Sequence, residues 1–296
     1  FVDLNQIPVS EEDKYQKVPN FHDQRRQDRV QDSFGRIDSV DPRDAELAAV
    51  INSTQTNIEA ESLDDAVEKA NLTYMISPFM SAISGNARFL DEKDLGFADS
   101  RMPIWEKSHD IRDEEELGEK PVAAGKLDSY YANIQNYFER VKNNPFILND
   151  EEKREAALDI GIGTFWKDSR IKFNREPEED RYEAVVESRV VSTQPTIPEE
   201  IAMHGFYVGR LAYAQNIGEI EDDAPESEEL MDIEKVNRNR YSAMHNGLDT
   251  MLYGTDGSLK DAGEVLEDEL DKAVKGLEYA GLEDDGGYMQ ELYSRL

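Results

Sequence analysis

The spacing of apolar residues along the chain predicts a helix-rich protein. Apolar side chains recur at steps of three and four, the period of a helix with one buried face, in five stretches. These stretches cover residues 62–77, 127–142, 199–213, 232–252 and 259–280. Ser62 suits the N-cap of the first helix, and Pro78 is expected to kink or end it. Gly281 suits the C-cap of the last.

Alternating polar and apolar residues predict three strands, at 49–60, 166–170 and 183–191. In the third strand, Glu183, Glu187 and Arg189 share one face. The opposite face is apolar and carries Ala184, Val186 and Val190. We expect the second and third strands to pair as an antiparallel hairpin.

The polar strand faces carry candidate chemistry. The carboxylate of Glu187 and the guanidinium of Arg189 could hold a metal ion beside an anionic substrate. Gln55 and Asn57 line one face of the first strand and could coordinate a cation or bind a phosphate. A surface ion pair and a hydrated edge strand are the structural alternatives.

Residues 84–112 combine turn-forming residues with large apolar ones, and we expect a long functional loop there. Within it, Arg101 beside Trp105 suits a clamp for a substrate carboxylate against an apolar wall. A structural arginine stacked on an aromatic ring is the alternative. A basic cluster at Arg25, Arg26 and Arg29 either reaches an anionic substrate or balances its acidic neighbours.

The chain is strongly acidic, with 65 Asp and Glu against 33 Lys and Arg in 296 residues and a net charge of −32. Nucleic acid and anionic membranes are therefore poor partners. Carboxylates spread over nearly every segment indicate a halophilic surface adapted to a salt-rich cytoplasm. Because the chain has no cysteine, disulfides, thiolate metal sites and cysteine nucleophiles are excluded.

The length of 296 residues allows one large domain or two small ones. Because no apolar run is long enough to span a membrane, we expect a soluble, cytoplasmic protein. The sequence starts at Phe1 and not at a methionine, so we expect that an N-terminal segment is missing. Whether the protein forms a homo-oligomer is left open.

Five sequence blocks, in order along the chain, carry a resemblance to one known family. The blocks are Thr54-Gln-Thr-Asn57, Ser84-Gly-Asn-Ala-Arg-Phe89 with Gly96-Phe-Ala-Asp-Ser-Arg-Met-Pro-Ile-Trp105, Trp166-Lys-Asp-Ser-Arg170, Glu187-Ser-Arg-Val-Val-Ser-Thr-Gln-Pro-Thr196 and Asn239-Arg-Tyr-Ser-Ala-Met-His-Asn-Gly-Leu-Asp249. Over roughly residues 12–260 the chain resembles the glutamate–cysteine ligase family, especially its carboxylate–amine ligase branch and plant-type relatives. Ser192 stands where the family usually has aspartate, and the family's first strand, with its Glu-x-Glu metal ligands, has no counterpart.

The resemblance implies the α+β fold class, with a largely antiparallel, saddle-like sheet related to the glutamine synthetase catalytic fold and helices packed outside. It implies that residues 1–296 form a single catalytic domain. It also implies an ATP- and Mg²⁺-dependent reaction of glutamate with cysteine, in which ATP phosphorylates the γ-carboxylate and the amine attacks the acyl phosphate. Arginines and magnesium would neutralise the developing charge.

The same resemblance implies roles for ten residues. Arg101 and Arg189 are expected to be catalytic. The substrate-binding set is Asn86, Trp105, Arg170, Gln194 and Arg240. The metal set is Glu187, Gln55 and Asn57, with Glu187 as a direct ligand. Two other functions stay open, a ligase that uses a different amine and a non-catalytic acidic binding or scaffold protein.

Overall fold

A computed structural model describes residues 51–90, 93–110, 112, 124–144, 161–176, 181–282 and 288–296. The beginning of the predicted 49–60 strand and the arginine cluster at Arg25, Arg26 and Arg29 lie outside these ranges.

Helices and small antiparallel sheets alternate along the described chain. The helices are α1 Leu63–Ser84, α2 Arg101–Ser108, α3 Ile134–Asn143, α4 Ile197–Gln215, α5 Ile217–Ile220, α6 Ile233–Asn246, α7 Ala262–Tyr279 and α8 Met289–Tyr293. The strands are β1 Thr56–Ala60, β2 Phe89–Leu90, β3 Lys93–Asp94, β4 Ser169–Glu176, β5 Arg181–Ser188, β6 Met251–Tyr253 and β7 Leu259–Asp261. This mixture confirms the α+β class, whereas the relation to the glutamine synthetase fold stays an expectation.

The main sheet has three strands in the order β1-β5-β4, and β5 is antiparallel to both neighbours. This arrangement confirms the antiparallel pairing of the two segments, but β4 spans Ser169–Glu176 and not the predicted 166–170. Val186 lies opposite both Ile58 and Ile171 on the apolar face. Ala184 and Val186 belong to the hydrophobic core, so the alternation along β5 was predicted correctly.

Helix α1 packs on the apolar face of this sheet and contacts α4 and α6. The Ser62 side chain accepts a hydrogen bond from the backbone N–H of Asp65, which confirms the predicted N-cap. The prediction that Pro78 could end the helix is wrong, since α1 continues to Ser84. Residues on all sides of α1 are buried, and this packing outweighs the one backbone N–H that proline removes.

Helices α4 and α7 approach each other to backbone contact. A Cβ atom at Gly209 would lie 2.1 Å from the carbonyl oxygen of Ala273, and one at Gly276 would lie 1.8 Å from that of Gly209. Only glycine therefore permits this packing. Helix α7 ends with Gly281 at φ +68° and with a bond from the Leu282 N–H to the Leu277 carbonyl, the Schellman motif expected at the predicted C-cap.

The structure corrects the expected long loop at 84–112. That segment contains the β2–β3 hairpin and helix α2, in which Pro103 lies within the first turn. The side chain of Asp99 accepts a bond from the Arg101 N–H at 3.0 Å, which helps to start α2. With only 8 residues, α2 offers too few periods for detection by apolar spacing.

Two other helix boundaries also differ from the expectation. Helix α3 starts at Ile134 and not at residue 127 because Asn133 caps it. In the preceding loop, Asn71 satisfies both the N–H and the carbonyl of the buried Tyr131. Helix α6 ends at Asn246, and the β6–β7 hairpin fills the interval before α7. Within the described residues, no helix has the length and apolar character needed to cross a membrane.

Candidate active site

The polar face of the main sheet carries a row of side chains that continues across all three strands. Asn57 of β1 and Arg170 of β4 both lie opposite Glu187 of β5. Directly opposed residues in an antiparallel sheet share one face. The predicted coincidence of the two functional faces is therefore confirmed for Arg170 and Glu187.

Glu187 is buried, with 2% of its surface exposed, and three cations surround its carboxylate. Arg170 approaches one oxygen at 2.6 Å, Lys172 the other at 2.8 Å, and the Nε atom of Arg189 lies 3.3 Å from the first. Burial raises the pKa of Glu187, but Arg170 and its fellow cations outweigh that effect and hold the pKa below its ordinary value. The carboxylate is therefore ionised at neutral pH.

This surrounding does not fit a magnesium ligand set. Three cations already occupy the Glu187 oxygens, and no three Asp, Glu or His side chains cluster as metal ligands among the residues that the structure describes. Asn57 and Gln55 are exposed. The metal roles of Glu187, Gln55 and Asn57 thus stay predictions, and no chemistry below depends on them.

Arg189 follows β5 and is 8% exposed, yet its guanidinium is poorly satisfied. Its Nε and Nη1 atoms are buried without a hydrogen-bond partner among the described residues. The guanidinium lies over the ring of Trp105, 5.1 Å from the centroid. Burial, together with the positive charge of Arg170, lowers its pKa to about 9, so the group stays protonated at neutral pH. A buried cation with free N–H groups is suited to receive an anionic ligand.

Arg101 holds the chain that presents Arg189. Its Nη2 atom donates to the backbone carbonyls of Arg189, at 3.0 Å, and Val190, and its Nε atom donates to Ser192 at 3.4 Å. Ser192 in turn donates to Asp99 at 2.8 Å. Arg101 therefore positions Arg189 from behind.

These side chains enclose a cavity of about 210 Å³. Its lining is formed by Ile51, Ser53, Gln55, Arg101, Met102, Trp105, Lys167, Asp168 and Arg189. Arginines and a lysine outnumber the one carboxylate, which favours an anionic ligand of amino-acid size. The cavity brings together four of the residues predicted from sequence: Arg101, Arg189, Trp105 and Gln55.

Lys167 is a lining residue that the sequence reasoning missed. It is buried at 4% exposure, its Nζ atom donates to the carbonyl of Lys126 at 2.6 Å, and burial lowers its pKa to about 8. In a strand that alternates over 166–170, Lys167 would lie on the face opposite Trp166 and Asp168. The local sequence pattern therefore gives no sign that Lys167 lines the cavity. Its position depends on a bridge to Gly125, a distant segment of the chain.

Arg240 lies behind the cavity. Its Nε and Nη2 atoms bind the two oxygens of Asp168, the latter at 3.1 Å, and Nη1 lies 2.7 Å from Glu106. Burial lowers the pKa of Arg240, but the two carboxylates reverse that effect and raise it well above its ordinary value. The charge of Arg240 is therefore already neutralised by two carboxylates behind the cavity wall.

Of the predicted substrate-binding residues only Trp105 lines this cavity; Asn86 and Gln194, like Arg170 and Arg240, lie outside the lining. Asn86 is exposed and donates to the Thr193 carbonyl at 2.9 Å. Gln194 is buried, donates to the Ser84 carbonyl at 3.1 Å and accepts from Arg295 at 2.8 Å. Both join backbone segments of the fold in this structure, and their substrate roles stay predictions.

The chain was compared with known proteins. No curated protein matches it. A family model described as Glutamate-cysteine ligase family 2 (GCS2) matches residues 12–294, a range that contains every described helix and strand together with the arginine-rich cavity. The chain therefore belongs to glutamate–cysteine ligase family 2.

Proposed function

We propose that the protein is an ATP-dependent carboxylate–amine ligase that joins the γ-carboxylate of L-glutamate to the amine of L-cysteine. Family membership supports the ligase class. The observation that carries the proposal is the buried guanidinium of Arg189 at a cavity of about 210 Å³, whose Nη1 atom has no hydrogen-bond partner among the described residues.

The cavity is suited to an acidic amino acid. Arg189 offers two N–H groups to a carboxylate, Trp105 forms an apolar wall, and Lys167 adds a second positive charge. Arg101 fixes the backbone on both sides of the Arg189 carbonyl, so the guanidinium is presented in one position. Such preorganised positive charge stabilises the oxyanion that forms on the acyl oxygen when the amine attacks the acyl phosphate.

The reaction needs no side-chain nucleophile. A carboxylate oxygen of glutamate attacks the γ-phosphorus of ATP, and the bond to ADP breaks. The amine then attacks the acyl carbon, phosphate leaves with the bonding electron pair, and the amine loses a proton. Magnesium, which family members of this kind are expected to use with ATP, would neutralise phosphate charge.

The amine acceptor is the less constrained half of the proposal. The charge pattern of the cavity favours the carboxylate substrate, but it does not distinguish cysteine from another amine. We propose cysteine because the family model is the glutamate–cysteine ligase one. A ligase with a different amine is the second candidate.

Isotope transfer tests the reaction directly. The full-length protein is incubated in high KCl with Mg-ATP, γ-carboxyl-¹⁸O-labelled glutamate and one amine from a panel that includes cysteine. An acyl phosphate transfers one ¹⁸O atom to inorganic phosphate, and γ-glutamylcysteine should form fastest. Labelled phosphate with a different preferred amine would support the second candidate. Unlabelled phosphate, or no glutamate-dependent ADP release, would reject the ligase reaction.

A further inference from the structure

The segment 192–194, between β5 and α4, joins the two walls of the arginine-rich cavity. On one side, the Ser192 hydroxyl accepts a hydrogen bond from Arg101, which also binds the carbonyl of Arg189. On the other side, Ser192 forms an antiparallel bridge with Ser53, which lines the cavity. The position of this segment therefore determines how the two walls lie relative to each other.

Gln194 anchors this segment inside the fold. It is 5% exposed, and its Nε2 atom donates to the carbonyls of Ser84, at 3.1 Å, and Ser192. Because both amide hydrogens are used in this way, the Oε1 atom faces the other side, where Nη1 of Arg295 donates to it at 2.8 Å. Arg295 thus satisfies the remaining polar atom of a buried amide.

Arg295 follows α8 and joins three segments through one guanidinium. Its Nη1 atom also donates to the Ile83 carbonyl, in the last turn of α1, at 2.8 Å, and its Nη2 atom binds Glu199, in the first turn of α4, at 2.7 Å. The last carbonyls of a helix have no partner within it, so Arg295 and Gln194 together satisfy those of Ile83 and Ser84. A planar fork with several N–H groups is needed to reach these acceptors at once.

A continuous path of hydrogen bonds leads from Arg295 to the cavity. It runs through Gln194, Ser192 and Arg101 to the backbone of Arg189. These four residues are at most 8% exposed, so water competes little for their bonds. The match to the family model ends at residue 294, so it assigns no role to Arg295.

We propose that Arg295 is a positioning residue, which holds Arg189 in place for the substrate carboxylate through the 192–194 segment. The inference rests on the proposed function, since it takes the arginine-rich cavity as the glutamate site. The alternative is a purely structural role, in which Arg295 only completes the end of α1. A structural loss lowers the folded fraction and with it kcat, but it leaves the KM values of the folded molecules unchanged.

Kinetics with each substrate varied in turn, in high KCl, test the role. In Arg295→Met, KM for glutamate should rise at least about fivefold while KM for ATP stays within about twofold, because only the glutamate cavity loses its support. Arg295→Lys keeps the charge but not the planar fork, so we expect a rise of about threefold. This milder variant carries the test if Arg295→Met does not fold.

Arg140 supplies the matched control. It is also half-buried, and its guanidinium forms three hydrogen bonds, to Ser129 and Tyr130, but it lies on α3 and not on the path to the cavity. In Arg140→Met, both KM values should stay within about twofold of wild type.

The two tryptophans of the chain provide a measurement that needs no substrate. Trp105 lines the cavity against the Arg189 guanidinium, and the Trp166 ring lies 5.7 Å from that of Trp105. A displaced guanidinium changes the field at these rings. Arg295→Met and Arg295→Lys should therefore shift the tryptophan emission of the ligand-free protein, whereas Arg140→Met should leave it unchanged.

An unchanged KM for glutamate in folded Arg295→Met and Arg295→Lys, with or without a lower kcat, would overturn the positioning role and leave Arg295 a structural residue. Failure of the proposed function has a different signature, because the wild type itself then forms no acyl phosphate. In that event the ligand-free emission decides the role of Arg295: a shift in its variants supports the positioning of Arg189, and wild-type emission rejects it.

Discussion

Arg210 and Arg189 are both buried arginines, yet their surroundings are opposite. Arg210 of α4 lies 2.5 Å from Glu269 of α7 and 2.6 Å from Glu228. Burial lowers its pKa, but the two carboxylates outweigh it and raise the pKa above the ordinary value. Arg189 has one carboxylate partner, Glu187, and Arg170 and Lys172 bind the same carboxylate. The pKa of Arg189 is lowered to about 9.

The difference separates a structural charge from a charge held ready for a ligand. Arg210 joins two helices whose glycines touch, so its ion pairs complete a packing that already exists. Arg189 shares one carboxylate with two other cations, so its burial is less well compensated than that of Arg210, which pairs with two carboxylates. The Nη1 atom of each arginine lacks a hydrogen-bond partner among the described residues. Unsatisfied buried charge is retained where function requires it.

Breaking the Arg210 network should have the largest effect. Arg210→Met leaves the buried carboxylate of Glu269 and the partly buried carboxylate of Glu228 with less positive charge, so we expect the free energy of unfolding to fall by about 3–5 kcal/mol. Urea denaturation at constant high KCl measures it. The matched Arg189→Met variant should lose less than about 1 kcal/mol, because that charge is poorly compensated. Equal losses in the two variants would abolish the distinction drawn here.

Glu187→Gln should have the next largest effect. The neutral amide leaves three cations without their shared carboxylate, so we expect a loss of about 1–3 kcal/mol in urea denaturation. The magnesium concentration that gives half-maximal rate should not change. Unchanged stability together with a much higher magnesium requirement would instead make Glu187 a metal ligand, as the sequence predicts.

Arg189→Lys should impair activity with little effect on folding. Lysine keeps the charge but lacks the two-pronged donor geometry, so kcat/KM for glutamate should fall at least tenfold. Arg210→Lys is the control, since it should lower stability while kcat/KM stays within about threefold at temperatures where it is folded. Near-normal kinetics in Arg189→Lys would remove Arg189 from the substrate site.

The sequence pattern correctly predicted those elements that are held by residues close to one another along the chain. The β4–β5 hairpin, the start of α1 at Ser62 and the C-cap at Gly281 follow from alternation and capping residues within a few positions. By contrast, the start of α3 depends on Asn71, whose amide holds Tyr131 across 60 residues of sequence. Hydrogen bonds between residues so far apart in sequence leave no trace in the spacing of apolar residues. The predicted start of α3 was therefore wrong.

The residues of the candidate site also fall into those that the local sequence could predict and those that it could not. Arg189 could be found because it follows an alternating strand within a family-like motif. Lys167 could not, because its burial and lowered pKa arise from the crossing of the Lys126 segment.

Lys167 allows the smallest and most specific test of the contrast. Burial lowers its pKa to about 8, against an ordinary 10.5, although Asp128, Asp168 and Glu106 act to raise it and Arg240 to lower it. Above pH 8 the ammonium loses its charge and its attraction for glutamate, so KM should rise about threefold between pH 7 and pH 9. The unfolded chain binds the extra proton between about pH 8 and 10.5, so this group makes the folded state more stable as pH rises.

One side chain is thus expected to weaken substrate binding and to increase stability over the same pH range. Lys167→Met should remove both trends, while Lys142→Met, which replaces an exposed lysine on α3, should keep them. Initial rates across a glutamate series and urea denaturation, each at pH 7, 8 and 9, provide the two measurements. Identical pH profiles for wild type and Lys167→Met would show that Lys167, like Arg210, serves the fold alone.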